Sequence, residues 1–409
     1  MIKKILGIAI VSAMSMGAQA QGWTGQGEFG LVLSNGNADN LTVNGKLDFK
    51  FEEEQWLYNV YGLALRAESD DLQTALHALT EALHHAAELL AAHAEIGPDF
   101  ARLQQPALDA ELVALLDSAL AAHRGRAVGL AAHPAALLLL VARAEGRASD
   151  AALHEAAVGF TLEYLALCLI DDAADDELTG LAASLGPAVT VNAGLALYTL
   201  ALDALHAASH HAPAEQRAAL RNCMCQHSLR AATGQHRDLR RREPASLAEA
   251  AEQVAAKTTL IAEIAEFTAL LCGAPAPRAR AIAAATRHSC LMRQIVNDVR
   301  DIFGKPDSGD LRDDRATLPL LCFRSTADAA ATLRLASLRA ELPASLPQIR
   351  ALLVESGAIT ATATIMERAR QALHADADAL GLRGGPFDLY LEFADAMADQ
   401  VYRRPPVAA

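Results

Sequence analysis

Leu169-Ile-Asp-Asp-Ala-Ala-Asp-Asp-Glu177 ends an otherwise apolar run with four aspartates, Asp171, Asp172, Asp175 and Asp176. On a helix, residues i and i+4 share a face, so Asp171 with Asp175 and Asp172 with Asp176 form carboxylate pairs whose repulsion only solvent or cations relieve. Oxygen-only ligation suits Mg²⁺, which takes one or two carboxylates together with substrate phosphates. A simply solvated helix end is the other reading of the same residues. A second acidic set, Gln294-Ile-Val-Asn-Asp-Val-Arg-Asp301, again puts Asn297 and Asp301 at i and i+4. It is followed by Gly304-Lys-Pro-Asp-Ser-Gly-Asp-Leu311 and Arg315-Ala-Thr-Leu-Pro319, which read as an ordered loop. Two facing acidic helices would hold metal ions and a diphosphate between them.

After Ala67 only two lysines occur, Lys257 and Lys305, in a stretch where Arg has otherwise replaced Lys. A compact ammonium kept at two places points to phosphate contact rather than to solubility. On the helix ahead of the first aspartates, Phe160 and Tyr164 lie eleven and seven residues before Asp171. At about 100° per residue both fall on its face, where aromatic rings would bound an apolar chain and stabilise cations; core packing is the alternative. His206 and His210 share a helix face but precede a Pro break, as surface residues do. The six cysteines form no CxxC pair, which argues against a disulfide scaffold or a zinc site.

The elements that must position these groups are helical. The chain has 409 residues, a net charge of −14, 52% hydrophobic residues and 4% aromatics, which excludes disorder and disfavours sequence-independent nucleic-acid binding. From residue 68 to 409 apolar residues recur at i, i+3, i+4 and i+7, with breaks at Gly97-Pro98, Gly186-Pro187, Ala212-Pro213, Gly273 to Pro277, Gly304 to Asp314 and Gly384 to Pro386. These signals predict about ten to twelve helices in one domain.

Residues 1–67 have another composition: both Trp and four of the six Lys lie there. Residues 1–20, with Lys3 and Lys4, an apolar run and Ala18-Gln-Ala20, have the layout of a cleavable secretory signal. Gly22 to Ala67 alternates as antiparallel strands do. Through Gly27-Glu-Phe-Gly-Leu31, Ser34-Asn-Gly-Asn37 and Trp56-Leu-Tyr-Asn-Val-Tyr61, residues 21–67 resemble a fragment of a salt-induced outer-membrane β-barrel protein.

Residues 68–409 resemble the class I isoprenoid synthases, specifically the trans-polyprenyl diphosphate synthase family. Its first DDxxD element matches Asp171, Asp172 and Asp175, and its second appears as Asn297, Asp298 and Asp301. Gly234-Gln-His-Arg-Asp238 and Lys257-Thr258 resemble two further elements, and Gly304-Lys305, Gly309-Asp-Leu311 and Thr317-Leu-Pro319 the loop after the second. The resemblance implies an all-α class I isoprenoid-synthase-type helical bundle around a deep apolar cavity. It also implies Mg²⁺ on Asp171, Asp172, Asp175, Asn297, Asp298 and Asp301, and diphosphate contacts from Lys257, Gln294, Lys305 and Arg315. Asp171, Asp172, Asp175 and Lys257 then serve catalysis, and Phe160, Tyr164 and Leu167 line the cavity. The substrate is a prenyl diphosphate, and the partner a second copy packed through helices.

Departures from the family bear on the reaction. The basic element for isopentenyl diphosphate corresponds to Gly129-Leu-Ala-Ala-His-Pro134, which has no Lys or Arg; none occurs from Glu177 to Gly194 either. Arg315 stands where the family has Lys. Without those cations a second diphosphate is held poorly. The expectation is therefore a single-substrate terpene synthase of prenyltransferase-like type. A chain-elongating prenyltransferase and a non-catalytic partner subunit of one are the alternatives. Prenyl diphosphates are cytosolic, so a cytoplasmic site of action conflicts with the secretory signal and raises export or a fusion artefact.

Overall fold

The computed structural model describes the backbone of 23–35, 39–53 and 56–69, and residues 112–116 and 134–402 except 149, 176, 241–243 and 245. The signal read at 1–20, residues 129–133 and Asp176 lie outside the described residues. Three strands, β1 (Trp23–Asn35), β2 (Asp39–Glu53) and β3 (Trp56–Ser69), form an antiparallel meander in the order β1-β2-β3. The register pairs Trp23 with Phe51 and Leu41 with Ser69, with an irregularity between Leu47 and Phe49. Strand β3 runs two residues past Ala67. A closed barrel takes about eight strands or more.

After the strands the described residues are helical. They comprise α1 (Pro134–Ala144), α2 (Ala151–Ala174), α3 (Gly180–Leu185), α4 (Pro187–His210), α5 (Ala214–Leu239), α6 (Leu247–Lys257) and α7 (Leu260–Leu271). There follow α8 (Ala276–Gly304), α9 (Gly309–Arg312), α10 (Leu318–Thr326), α11 (Ala329–Arg339), α12 (Leu346–Glu355), α13 (Ala358–Ala379) and α14 (Asp388–Tyr402). With the helical stretch 112–116, the described residues alone already exceed the ten to twelve helices expected over 68–409; one turn, α9, forms inside the loop read as a break, and Gly357, at φ +78°, divides α12 from α13 without a Pro.

The chain forms two compact units, Met1–Leu139 with Ser149–Leu205, and Leu140–Ala148 with His206–Ala409. In the first, Asp150 caps α2 by accepting from Leu153 N at 3.0 Å. Two glycines let α2 and α4 approach. A Cβ on Gly159 would lie 2.7 Å from Leu205 Cγ, and one on Gly194 2.6 Å from Ile170 Cγ1. Both helices are long and apolar enough to cross a membrane, but two thirds of the most apolar stretch of α2 is buried in protein, which accounts for its apolarity.

In the second unit α8 is central and packs against α6, α7, α13 and α14. A separate apolar cluster under its C-terminal end joins Ile302, Leu311, Phe323, Leu346, Ile349 and Leu353. That cluster underlies the loop from Lys305 to Thr317 and holds it in place.

Candidate functional site

In the second unit the residues singled out in the sequence converge on the C-terminal half of α8. Helix α6 starts where Ser246 accepts from Glu249 N and ends at Lys257, where Thr258 leaves helical geometry. Helix α5 meets that end at Gly234: a Cβ there would lie 2.3 Å from Lys257 N and 2.7 Å from Ala256 C. Only glycine permits this approach, because backbone cannot yield as a flexible side chain does. One turn later on α5, Asp238 Oδ2 accepts from Lys257 Nζ at 2.8 Å. The pair is partly exposed and open to exchange with an anion.

The second acidic set is used unevenly. Asn297 is exposed, whereas Asp298 and Asp301 are buried, at 2% and 6% exposure. Asp298 Oδ1 accepts from Gln294 Nε2 at 2.7 Å, and its Oδ2 from Leu318 N at 2.9 Å, which caps α10. Burial pushes its pKa up to about 6, opposed by those two donors; Asp238 raises it further and Lys257 lowers it. Asp301 Oδ2 accepts from Ser308 Oγ and from Asp310 N at 3.2 Å, while Oδ1 faces Lys305 Nζ at 2.9 Å. Asp310 is pushed up to about 7 by burial and by the Asp301 and Asp298 charges, and is held down by Arg315 and Lys305. Arg315 Nε stands 3.7 Å from Asp310 Oδ1. In this arrangement the carboxylates of Asp298 and Asp301 are engaged by protein donors and by Lys305, while Asn297 is the accessible member of the set.

Arginines from the surrounding helices fix the loop from outside. Arg350 donates from Nε to Ile302 O at 2.8 Å and from Nη2 to Lys305 O at 2.7 Å, satisfying carbonyls left over at the end of α8. Arg339 Nε bonds Leu311 O at 2.7 Å, and Arg339 and Arg324 both bind Asp314 Oδ1. Asp314 has φ +55°, a left-handed conformation disfavoured for a side chain with a Cβ, and the two guanidinium groups hold it there.

In the first unit, Asp171 and Asp172 end α2 and Asp175 is its C-cap, with its N–H on Asp171 O at 2.8 Å. All three are partly exposed, on a helix whose middle is buried all round. Tyr164, Leu167 and Cys168 share their partial exposure and lead to Asp171 at i, i+3, i+4 and i+7, which marks one accessible face. Phe160 is fully buried and packs in the core. Sequence reasoning passed over Glu163, which is 3% exposed, with Oε2 lacking a hydrogen-bond partner among the described residues. Burial pushes it up to about 8. Their oxygens are of the kind a hard cation takes, but as they stand the three carboxylates do not all converge within 4.8 Å of one another, so holding one ion requires their side chains to turn toward a common point.

The polyprenyl synthetase family model matches residues 134–353. The chain belongs to the polyprenyl synthetase family. This places it among prenyltransferase-type enzymes of isoprenoid biosynthesis, and the matched span contains both acidic sets, Gly234 to Asp238, Lys257 and the loop to Thr317. Solved structures agree on the all-α isoprenoid synthase fold. Geranylgeranyl pyrophosphate synthetase from Pyrococcus horikoshii aligns over 78% of this chain and 96% of its own, at 21% identity and a TM-score of 0.62. A polyprenyl synthase from Caulobacter crescentus, complexed with calcium and isoprenyl diphosphate, aligns over 78% and 97% at 21% identity and 0.64. A decaprenyl diphosphate synthase from Rhodobacter capsulatus aligns over 78% and 99% at 18% identity and 0.64. No curated protein matches the sequence.

Proposed function

We propose that this polyprenyl synthetase family member ionises one allylic prenyl diphosphate and converts the cation without adding a second substrate, as a terpene synthase does. The observation that carries the reading is the placement of cations. Lys257, Lys305 and Arg315 surround the acidic end of α8, whereas 177–194, which spans α3 and the start of α4, contains no Lys or Arg. One diphosphate has bases to receive it at α8, and 177–194 offers none to a second.

In this reading Asp171, Asp172 and Asp175 of the first unit are one set of Mg²⁺ ligands, and Asn297, the accessible member of its set, belongs to another in the second unit; Mg²⁺ would supply Lewis-acid neutralisation of the leaving diphosphate. Lys257 exchanges Asp238 for a diphosphate oxygen, and Lys305 and Arg315 do the same from Asp301 and Asp310. Gln294 orients Asp298 and through it the start of α10. Tyr164 and Leu167 border the prenyl chain on the accessible face of α2. Val191, Leu195 and Leu202 expose apolar surface along one face of α4, which supports a homodimer formed through helices. The reaction belongs in the cytoplasm, where its substrate is made; the strand segment resembling an outer-membrane barrel takes no part in it.

The second reading, chain elongation, is favoured by the family match itself. Full-length protein with Mg²⁺ and geranyl, farnesyl or geranylgeranyl diphosphate, with and without isopentenyl diphosphate, separates the two. Hydrocarbon or alcohol from an allylic diphosphate alone is the expected outcome. A longer diphosphate formed only with isopentenyl diphosphate overturns single-substrate chemistry in favour of elongation. No turnover under either condition, with Asp171→Ala behaving as the unmodified chain, points to the partner-subunit role.

A further inference from the structure

On the side of α5 that faces α7, three metal-ligating side chains of different chemistry converge. Cys223 and His227 are four residues apart on α5 and share a face; Glu266 comes from α7. One ligand atom from each lies within 4.8 Å of the others. Cys223 and His227 are buried and Glu266 is slightly exposed, leaving an approach from its side. His227 Nε2 stands 2.9 Å from Glu266 Oε2, and its Nδ1 2.9 Å from Thr259 Oγ1.

We infer that Cys223, His227 and Glu266 bind Zn²⁺, cross-linking α5 to α7, with a water in the fourth position. Thiolate sulfur, imidazole nitrogen and carboxylate oxygen together form a zinc donor set, whereas Mg²⁺ and Ca²⁺ select oxygen alone. Tetrahedral zinc at ordinary bond lengths sets its ligand atoms about 3.3–3.7 Å apart. The imidazole and carboxylate, 2.9 Å apart, need open by about half an ångström, and the thiol already lies within 4.8 Å of both. Thr259 on the far ring nitrogen is the outer partner that fixes the orientation of a metal-bound histidine. On binding, the Cys223 Sγ–H bond breaks, an Sγ–Zn bond forms, and the proton leaves to solvent; nothing is oxidised or reduced. The cysteine spacing gave no hint of this, because the third ligand lies 39 residues from His227 on another helix.

The site does not depend on the proposed reaction. It does bear on the geometry of Lys257, because Gly234, which sets the backbone of Lys257, lies seven residues beyond His227 on the same helix.

The test uses full-length protein freed of metal by chelator dialysis and titrated with Co²⁺, then with Zn²⁺. The exposed His206–His210 pair, with Nε2 atoms 3.0 Å apart, is a rival site, so the titration is repeated in a His206→Ala, His210→Ala background. A sulfur-to-cobalt charge-transfer band in both backgrounds, bleached by Zn²⁺ with proton release, is expected. Cys223→Ser abolishes the band with unchanged circular dichroism, and Thr259→Val weakens binding roughly 10–100-fold. Should Cys223→Ser fail to fold, Glu266→Gln, at the more exposed ligand, serves in its place and weakens the band. Absence of the band from the unmodified chain, its survival in Cys223→Ser or in folded Glu266→Gln at unchanged affinity, or its loss in the His206→Ala, His210→Ala background overturns the site.

Discussion

Two acidic elements of nearly the same make-up close α2 and α8, and the fold treats them in opposite ways. At the end of α2, Asp171, Asp172 and Asp175 keep partial exposure. At the end of α8, Asp298 and Asp301 are buried, and between them their oxygens face Gln294, Leu318 N, Ser308, Asp310 N and Lys305. The difference lies in the chain beyond each helix. After Asp301 a loop returns over an apolar cluster and delivers donors to the carboxylates; the chain after α2 places no comparable return loop on its aspartates among the described residues. Carboxylate spacing along a helix therefore specifies a row of charges, and the segment that comes next decides whether the row is offered to a cation or spent on the fold.

The comparison predicts opposite mutational signatures. Asp171→Ala should lower turnover roughly a hundred- to a thousand-fold, as loss of charge stabilisation at a reacting group does. Its unfolding free energy should stay within about 0.5 kcal/mol of the unmodified chain, as for a surface change. Steady-state rates and urea titration read the two quantities on one preparation. A large stability loss would break the comparison from the α2 side.

Gly234→Ala comes next in size. The added Cβ meets backbone atoms at Lys257 and Ala256, so α5 and α6 must separate. A cost of about 1–3 kcal/mol is expected, as for overpacking. Turnover should fall as well, because Lys257 moves with its backbone. Full turnover at unchanged stability would mean that the contact is looser than 2.3 Å implies.

Asp298→Ala should cost about 1–3 kcal/mol by leaving Leu318 N buried without its acceptor. Asp298→Asn keeps an acceptor oxygen for Leu318 N and should recover much of that. If instead both variants unfold like the unmodified chain and lose turnover alone, Asp298 serves the reaction rather than the loop, and the contrast with Asp171 disappears.

Much of this was legible before the structure, and the boundary is physical. Helical periodicity, the glycine and proline breaks and the aspartates at the end of an apolar run are local properties, so α2, α4 and α8 stand where their sequences put them. The uses of Asp298 and Asp301 were not legible, because beside the local partners Gln294 and Lys305 their other donors are 7 to 20 residues away and depend on how the loop closes. The cluster of Cys223, His227 and Glu266 needed two helices to meet. Phe160 and Tyr164 share a predicted face, yet one is core and the other is partly exposed. Glu163 is a single acid inside an apolar run, and nothing in the run marks that its carboxyl is enclosed.

Glu163 allows the finest test, because it is buried as Asp298 is but with Oε2 lacking a donor among the described residues. Burial pushes it from the usual carboxylate range, 4.5, up to about 8. Asp298, with two donors opposing its burial, rises only to about 6. A raised carboxyl in the folded state binds a proton that the unfolded state has already released, so its contribution is complete below about pH 4.5 and is lost as pH rises toward 8. Glu163→Gln cannot ionise and should remove that slope, which is at most about 1.4 kcal/mol per pH unit. Urea titrations of both proteins at steps from pH 5 to 8 should therefore diverge, with the variant gaining on the unmodified chain at each step. Parallel curves would mean that the carboxylate finds compensation inside α2 as Asp298 does inside its loop, and that donors, not exposure, are what the two acidic regions have in common.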